Sequence, residues 1–234
     1  MKKLTWIPPL ALFGGLAGIA VWLLRWRLLS TGVDHKGLLV RGNPLSIVSW
    51  VLTAAVAALV AAALWKHRKE TFALRAAPGS EALRIPAMLI AAVSLWGGEA
   101  NLVEKAAAAA ALLAAVAALM RLVLRKKQLS PAVADIPAVL FWMLLLICRY
   151  QGWSAETEIQ RYAFTLLATV CLLFATFARS SVELGLGKHR LFLGAGLLGV
   201  FFAFGAAADP GFAGIFLPMG VWLMLQLDTV TEAA

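Results

Sequence analysis

The sequence predicts an all-α protein, a polytopic transmembrane helix bundle of about eight spans, and three observations carry that expectation. The chain is 62% hydrophobic and 14% charged, whereas a soluble domain carries about 25% charged residues. Its apolar residues gather into runs close to the roughly 20 needed to cross a bilayer. Its basic residues crowd into alternate connections between those runs, as the positive-inside rule requires.

Charged clusters and prolines divide the chain into candidate spans at 5–24, 45–65, 82–98, 103–124, 131–149, 161–178, 190–207 and 211–228. Residues 1–234 therefore read as a single integral membrane domain, with little chain left for a soluble one. With the N-terminus inside, Lys2, Lys3, Lys66, Arg68, Lys69, Arg75, Arg84, Arg121, Arg125, Lys126, Lys127, Arg179, Lys188 and Arg190 fall on the cytoplasmic side, 14 of the 21 Lys and Arg residues. That bias places both termini in the cytoplasm and the protein in a membrane of the bacterial cytoplasmic type. The first outer connection, with Arg25, Arg27, Lys36 and Arg41, runs against the rule. The net charge of +9 is accounted for by topology, without a nucleic-acid partner.

The first span opens like a signal peptide, but the apolar stretch from Thr5 to Leu24 is too long for a typical signal core and reads as a retained helix. Gly14 and Gly18 form a small-xxx-small pair that predicts close helix contact. Asn43 and Pro44 supply the N-cap and first position of the second span, and Trp50 and Trp65 mark its ends. The loop that follows holds Lys66, Arg68, Lys69 and Arg75. Such juxtamembrane clusters attract anionic lipid headgroups, and they also orient the chain during insertion.

The third segment is expected to be short or re-entrant, because only Ile85 to Gly98 is free of charge. After it, Asn101 and Glu104 have the spacing of a capping box, which leaves Glu99, beside Gly97 and Gly98, as the polar residue without a structural duty. The fifth span opens with Ser130 as N-cap and Pro131 at the first helical position. Asp135 lies about one turn inside the boundary, and Arg121 lies about one turn inside it on the preceding helix. The two are expected to form an intramembrane ion pair, since a lone charge in the bilayer is costly. Asp209 with Pro210 is expected to cap the eighth span.

Several catalytic classes are excluded on spacing. Gly185, Gly187 and Lys188 imitate a phosphate loop, yet Val182 stands where GxxxxGK needs glycine and His189 where it needs Ser or Thr. Cys148 and Cys171 lie far apart in helix depth and belong to no metal-ligand spacing. No cofactor, nucleotide or metal signature is present, and His35, His67 and His189 all fall in connections. The resulting expectation is a non-catalytic accessory or regulatory membrane subunit, with the bilayer, anionic headgroups and another membrane protein as partners. The alternative is a small-solute permease, or the substrate-binding membrane component of a transporter, using Gly97, Gly98 and Glu99. A membrane enzyme acting on lipid stands third.

Overall fold

The computed structural model describes residues 4–32, 43–68, 70, 72–74, 78–96, 101–123, 131–153, 159–187 and 189–232. Among them are eight helices: α1 (Ile7–Thr31), α2 (Pro44–Lys66), α3 (Pro78–Trp96), α4 (Leu102–Val123), α5 (Pro131–Trp153), α6 (Ile159–Glu183), α7 (His189–Ala206) and α8 (Ala213–Leu227). Two short strands, β1 (Phe72–Leu74) and β2 (Val230–Glu232), complete the described elements. Five helices, α1, α2, α4, α6 and α7, are long and apolar enough to cross a membrane.

Helix ends follow local chemistry. Asn43 Oδ1 accepts from the Leu45 N–H at 3.0 Å, with Pro44 behind it in the first helical position. Asn101 and Glu104 bond reciprocally, each side chain accepting from the other's backbone N–H, at 2.8 and 3.1 Å. The glycines that imitate a phosphate loop terminate α6 instead. Gly185 adopts a positive φ of 74°, while Leu186 N–H reaches Ser181 O and Gly185 N–H reaches Val182 O, the two-bond Schellman closure that needs a left-handed residue at that position. Ser130 lies outside the described residues.

Several expected boundaries change, α6 for instance running past 178 to Glu183. Helix α1 continues past Leu24 to Thr31, carrying Arg25 into the buried interior. Helix α3 begins before the expected Ala82: it is 19 residues long, about 28 Å, with Glu81 and Arg84 inside it as buried groups, and it is not among the five helices apolar enough to cross a membrane. Asp209 does not cap α8. That helix begins at Ala213 behind Phe212, which makes no side-chain cap, and the Asp209 carboxylate is turned toward Arg25.

Adjacent helices contact one another in the order α3, α4, α5, α6, α7, α8, and α8 returns to α3, closing a circuit; α1 packs on α7 and α8, and α2 on α1 and α7. Contacts between helix ends show that successive helices alternate in direction. At one face, Trp6 donates to Glu70 at 3.0 Å and stacks on His67, Phe72 meets His189 edge-on, and β1 pairs antiparallel with β2. At the other, Arg149 near the end of α5 lies 3.8 Å from Glu104 at the start of α4, and Arg25 meets Asp209 in the α7–α8 turn.

Helix α7 is the pivot of this packing, with Phe192, Leu193, Leu197, Phe201 and Phe204 all buried. The Gly14–Gly18 pair of α1 faces it at unequal distance. A Cβ on Gly18 would meet Phe201 O at 2.6 Å, whereas one on Gly14 would find Leu197 O at an ordinary 3.6 Å. The strain of forcing carbon into a filled core is about 1–3 kcal/mol. Gly18→Ala is therefore expected to lower the thermal stability of the detergent-solubilised protein by that order, and Gly14→Ala to leave it nearly unchanged; equal effects would refute the close approach.

The strap between α2 and β1 has a pH signature. The His67 side chain bonds to Glu70 at 2.6 Å and, with Trp6, holds the Glu70 carboxyl below the ordinary value of a free glutamate. A depressed folded pKa means that this contribution to stability is complete above the ordinary carboxylate range and is lost as pH falls through the lowered value. The Trp6 indole N–H resonance should report a midpoint below that of a free glutamate and become flat in Glu70→Gln. A midpoint at or above the free value would contradict the contact.

Candidate functional site

Six ionisable side chains from four helices meet at one end of the helix circuit. They are Glu81 and Arg84 of α3, Arg121 of α4, Asp135 of α5, and Arg179 and Glu183 of α6. Each position follows from helical spacing. Glu81 and Arg84 are three apart and Arg179 and Glu183 four apart, so each pair shares a helix face. Arg121 sits in the last turn of α4, while Asp135 lies near the start of α5. Antiparallel packing brings all these ends to one level.

Asp135 is fully enclosed. It accepts from Arg84 and, at 3.0 Å, from the Ser180 hydroxyl, with Arg179 Nη1 at 3.8 Å. Glu81 accepts from Arg179, and the Arg121 and Arg84 guanidiniums stand 3.4 and 3.8 Å from it. Glu183 accepts from Arg121 at 2.6 Å and lies 3.4 Å from Arg179 Nε. Trp222 of α8 closes one side, its ring 5.4 Å from the Arg84 guanidinium carbon and 5.6 Å from that of Arg179. Three guanidiniums thus face three carboxylates, and the formal charges cancel.

The expected Arg121–Asp135 pair is therefore corrected. Both residues belong to the network, but Asp135 is bound by Arg84 while Arg121 sits on Glu183 and Glu81. Competition explains the exchange, since Arg84 and Arg179 reach the buried carboxylate from the helix circuit itself. The sequence expectation puts Arg84 and Arg179 on the cytoplasmic side, whereas the structure buries both. The signal available was the pairing of acid and base at helical spacing, Glu81 with Arg84 and Arg179 with Glu183, at span ends on the same predicted membrane face as Asp135.

A second knot ties the opposite end. Arg25 binds Asp209, the Thr165 hydroxyl donates to the same carboxylate, and the Arg25 guanidinium carbon stands 4.5 Å above the Phe164 ring. Thr165 and Arg179 both lie on α6 and are separated by about 21 Å of apolar helix. Gly97, Gly98 and Glu99, with Lys69 and Arg75, lie outside the described residues. Lys66 and Arg68 are exposed at the end of α2.

Chemically, every carboxylate of the main network is opposed by at least two guanidiniums. Among the described residues no group of three His, Cys, Asp or Glu side chains gathers into a metal-ligand set. Long apolar helices around such compensated interior charges define a helical integral membrane protein. Comparison with protein-family models, with curated proteins and with solved structures finds no match to the chain.

Removing one partner of a buried pair costs about 3–5 kcal/mol, because the other charge stays buried without compensation. Asp135→Asn should thus lose most of the folded, monodisperse protein, while Arg121→Gln, at a site 18% exposed, should lose less. Neutralising Arg84 together with Asp135 should recover part of the loss. An Asp135→Asn protein as stable as the parent would show that the network does not hold the bundle.

Proposed function

We propose that this chain is a non-catalytic, multi-pass membrane subunit, whose role is exerted through its lipid-facing and partner-facing surfaces. The observation that carries the reading is the closure of the interior network. Three arginines and three carboxylates from α3, α4, α5 and α6 balance one another in charge, so the charged groups of the interior are paired across helices.

The same proposal takes all eight helices as spans, with both termini cytoplasmic. Exposed Trp26, Trp50, Trp96 and Tyr150 all fall toward one end of the bundle, and exposed Trp65 lies at the other, the arrangement of two interfacial belts. Between them the outer surface is apolar, as at Leu16, Val51, Val116 and Phe174. The end that carries Lys66, Arg68 and Arg190 is assigned to the cytoplasm by the positive-inside rule.

A small-solute carrier is the second reading, favoured by a specific observation. Arg84 Nε and Nη2, Arg179 Nη1 and Trp222 Nε1 are buried donors without a hydrogen-bond partner among the described residues, so an acceptor-bearing solute has donors to meet beside the network. Purification from the native membrane in mild detergent separates the readings. A stoichiometric membrane-protein partner is the expected result; a bound solute in place of a protein would overturn the subunit reading in favour of the carrier. Cysteine labelling of the loops from either side tests the orientation.

A further inference from the structure

The end of α2 carries a cavity of about 410 Å³ lined by Trp65, Lys66, His67, Arg68 and Glu70, which the interior network does not use. We propose that this cavity is a binding site for the headgroup of an anionic phospholipid, with Lys66 and Arg68 holding the phosphate and Trp65 lying along the acyl-glycerol boundary.

The first argument is charge. Glu70 is the one acid in the lining, and both its oxygens are engaged, Oε2 by the Trp6 indole at 3.0 Å and Oε1 by His67 at 2.6 Å. Lys66 and Arg68, by contrast, have no carboxylate partner among the described residues. Among the described residues the lining thus presents two cations and one acid, the acid engaged by Trp6 and His67.

The second argument is position. Trp65 is 72% exposed at the last turn of a helix whose outward face, with Val51 and Leu59, is apolar. A tryptophan so placed sits at headgroup level. The Arg68 guanidinium carbon stands 5.0 Å over its ring, so cation and indole form one surface, polar toward water and apolar toward the chains. A soluble anion has no use for the indole and the apolar helix face beneath it; a lipid uses all three.

The third argument is rigidity. Trp6 stacks on His67 with centroids 4.5 Å apart, and Arg190 at the start of α7 donates to the Arg68 carbonyl. The lining is thus held by two other parts of the chain, so that little ordering accompanies binding. The orientation proposed above puts this cavity on the leaflet richer in anionic lipid. The site's affinity in detergent does not depend on that orientation, nor on whether the chain is a subunit or a carrier, so a failure here is distinct from a failure there.

The test is native mass spectrometry of the full-length chain in neutral detergent, titrated with phosphatidylglycerol and with phosphatidylcholine of the same chain length. Two charges at about 1 kcal/mol each correspond to a preference of about 30-fold for the anionic lipid. Lys66→Gln with Arg68→Gln should abolish that preference, each single change should reduce it about fivefold, and Lys66→Arg with Arg68→Lys should retain it. Both side chains are exposed, so the melting temperature should not move, and the single changes keep the comparison available if the double one destabilises the chain. Equal binding of the two lipids, or a preference that survives the double change, overturns the proposal. Displacement of the lipid by glycerol 3-phosphate at similar concentration also overturns it, by assigning the cavity to a soluble phosphate.

Discussion

The constraint on which this architecture depends is the cost of an uncompensated charge away from water. Moving an ion into a low-dielectric interior has a penalty of several kcal/mol even after relaxation, and the bundle contains Glu81, Arg84, Asp135 and Arg179 in just such surroundings. Each is tolerable only in the presence of the others. The network acts less as a source of net stability than as a rule of assembly: α3, α4, α5 and α6 must arrive together and in one register. A shift of one turn in any of them would strand a charge.

Around that rule the apolar packing is permissive in some places and strict in others. Large parts of α4 meet their neighbours through alanines, including Ala107, Ala111, Ala114 and Ala118, which define proximity but little shape. Helix α7 has the opposite character, with phenylalanines on several faces and glycines where another helix must come close. Gly199 faces Leu223 and Cys171, and Gly205 faces Phe164 and Val21. In the bilayer the hydrophobic effect does not drive helices together, so such close fits and the few polar contacts supply the specificity.

Much of the helical plan was legible in the sequence because apolar run length and capping residues are local properties. Asn43, Asn101 and Glu104 cap as their spacing implies, since a cap is decided within four residues. The ends of α1 and α3 were misread for one common reason. A charge at the edge of an apolar run normally marks water, whereas Arg25, Glu81 and Arg84 mark the presence of a distant counter-charge. Their partners lie far away in sequence: Asp209 is 184 residues from Arg25, and Arg179 is 98 from Glu81. No local pattern encodes such a pairing. Asp135 was recognisable as buried, but its choice among three nearby arginines depends on how four helices pack.

The distances along the chain also set an order of events. During synthesis α1 and α2 are made first, yet the groups that fasten them, Asp209 for Arg25 and the α7 face for Gly18, are made last. The α2–α3 connection waits likewise for its partner strand, since Thr231 bonds back to the Ala73 carbonyl across 158 residues. Helices α1 and α2 can pair with each other as soon as both are made, through their own packing and the Trp6 contacts to His67 and Glu70, but their contacts to α7 and α8 wait until the α3–α6 segment has been synthesised. The small β1–β2 ribbon can form only after the eighth helix has been made.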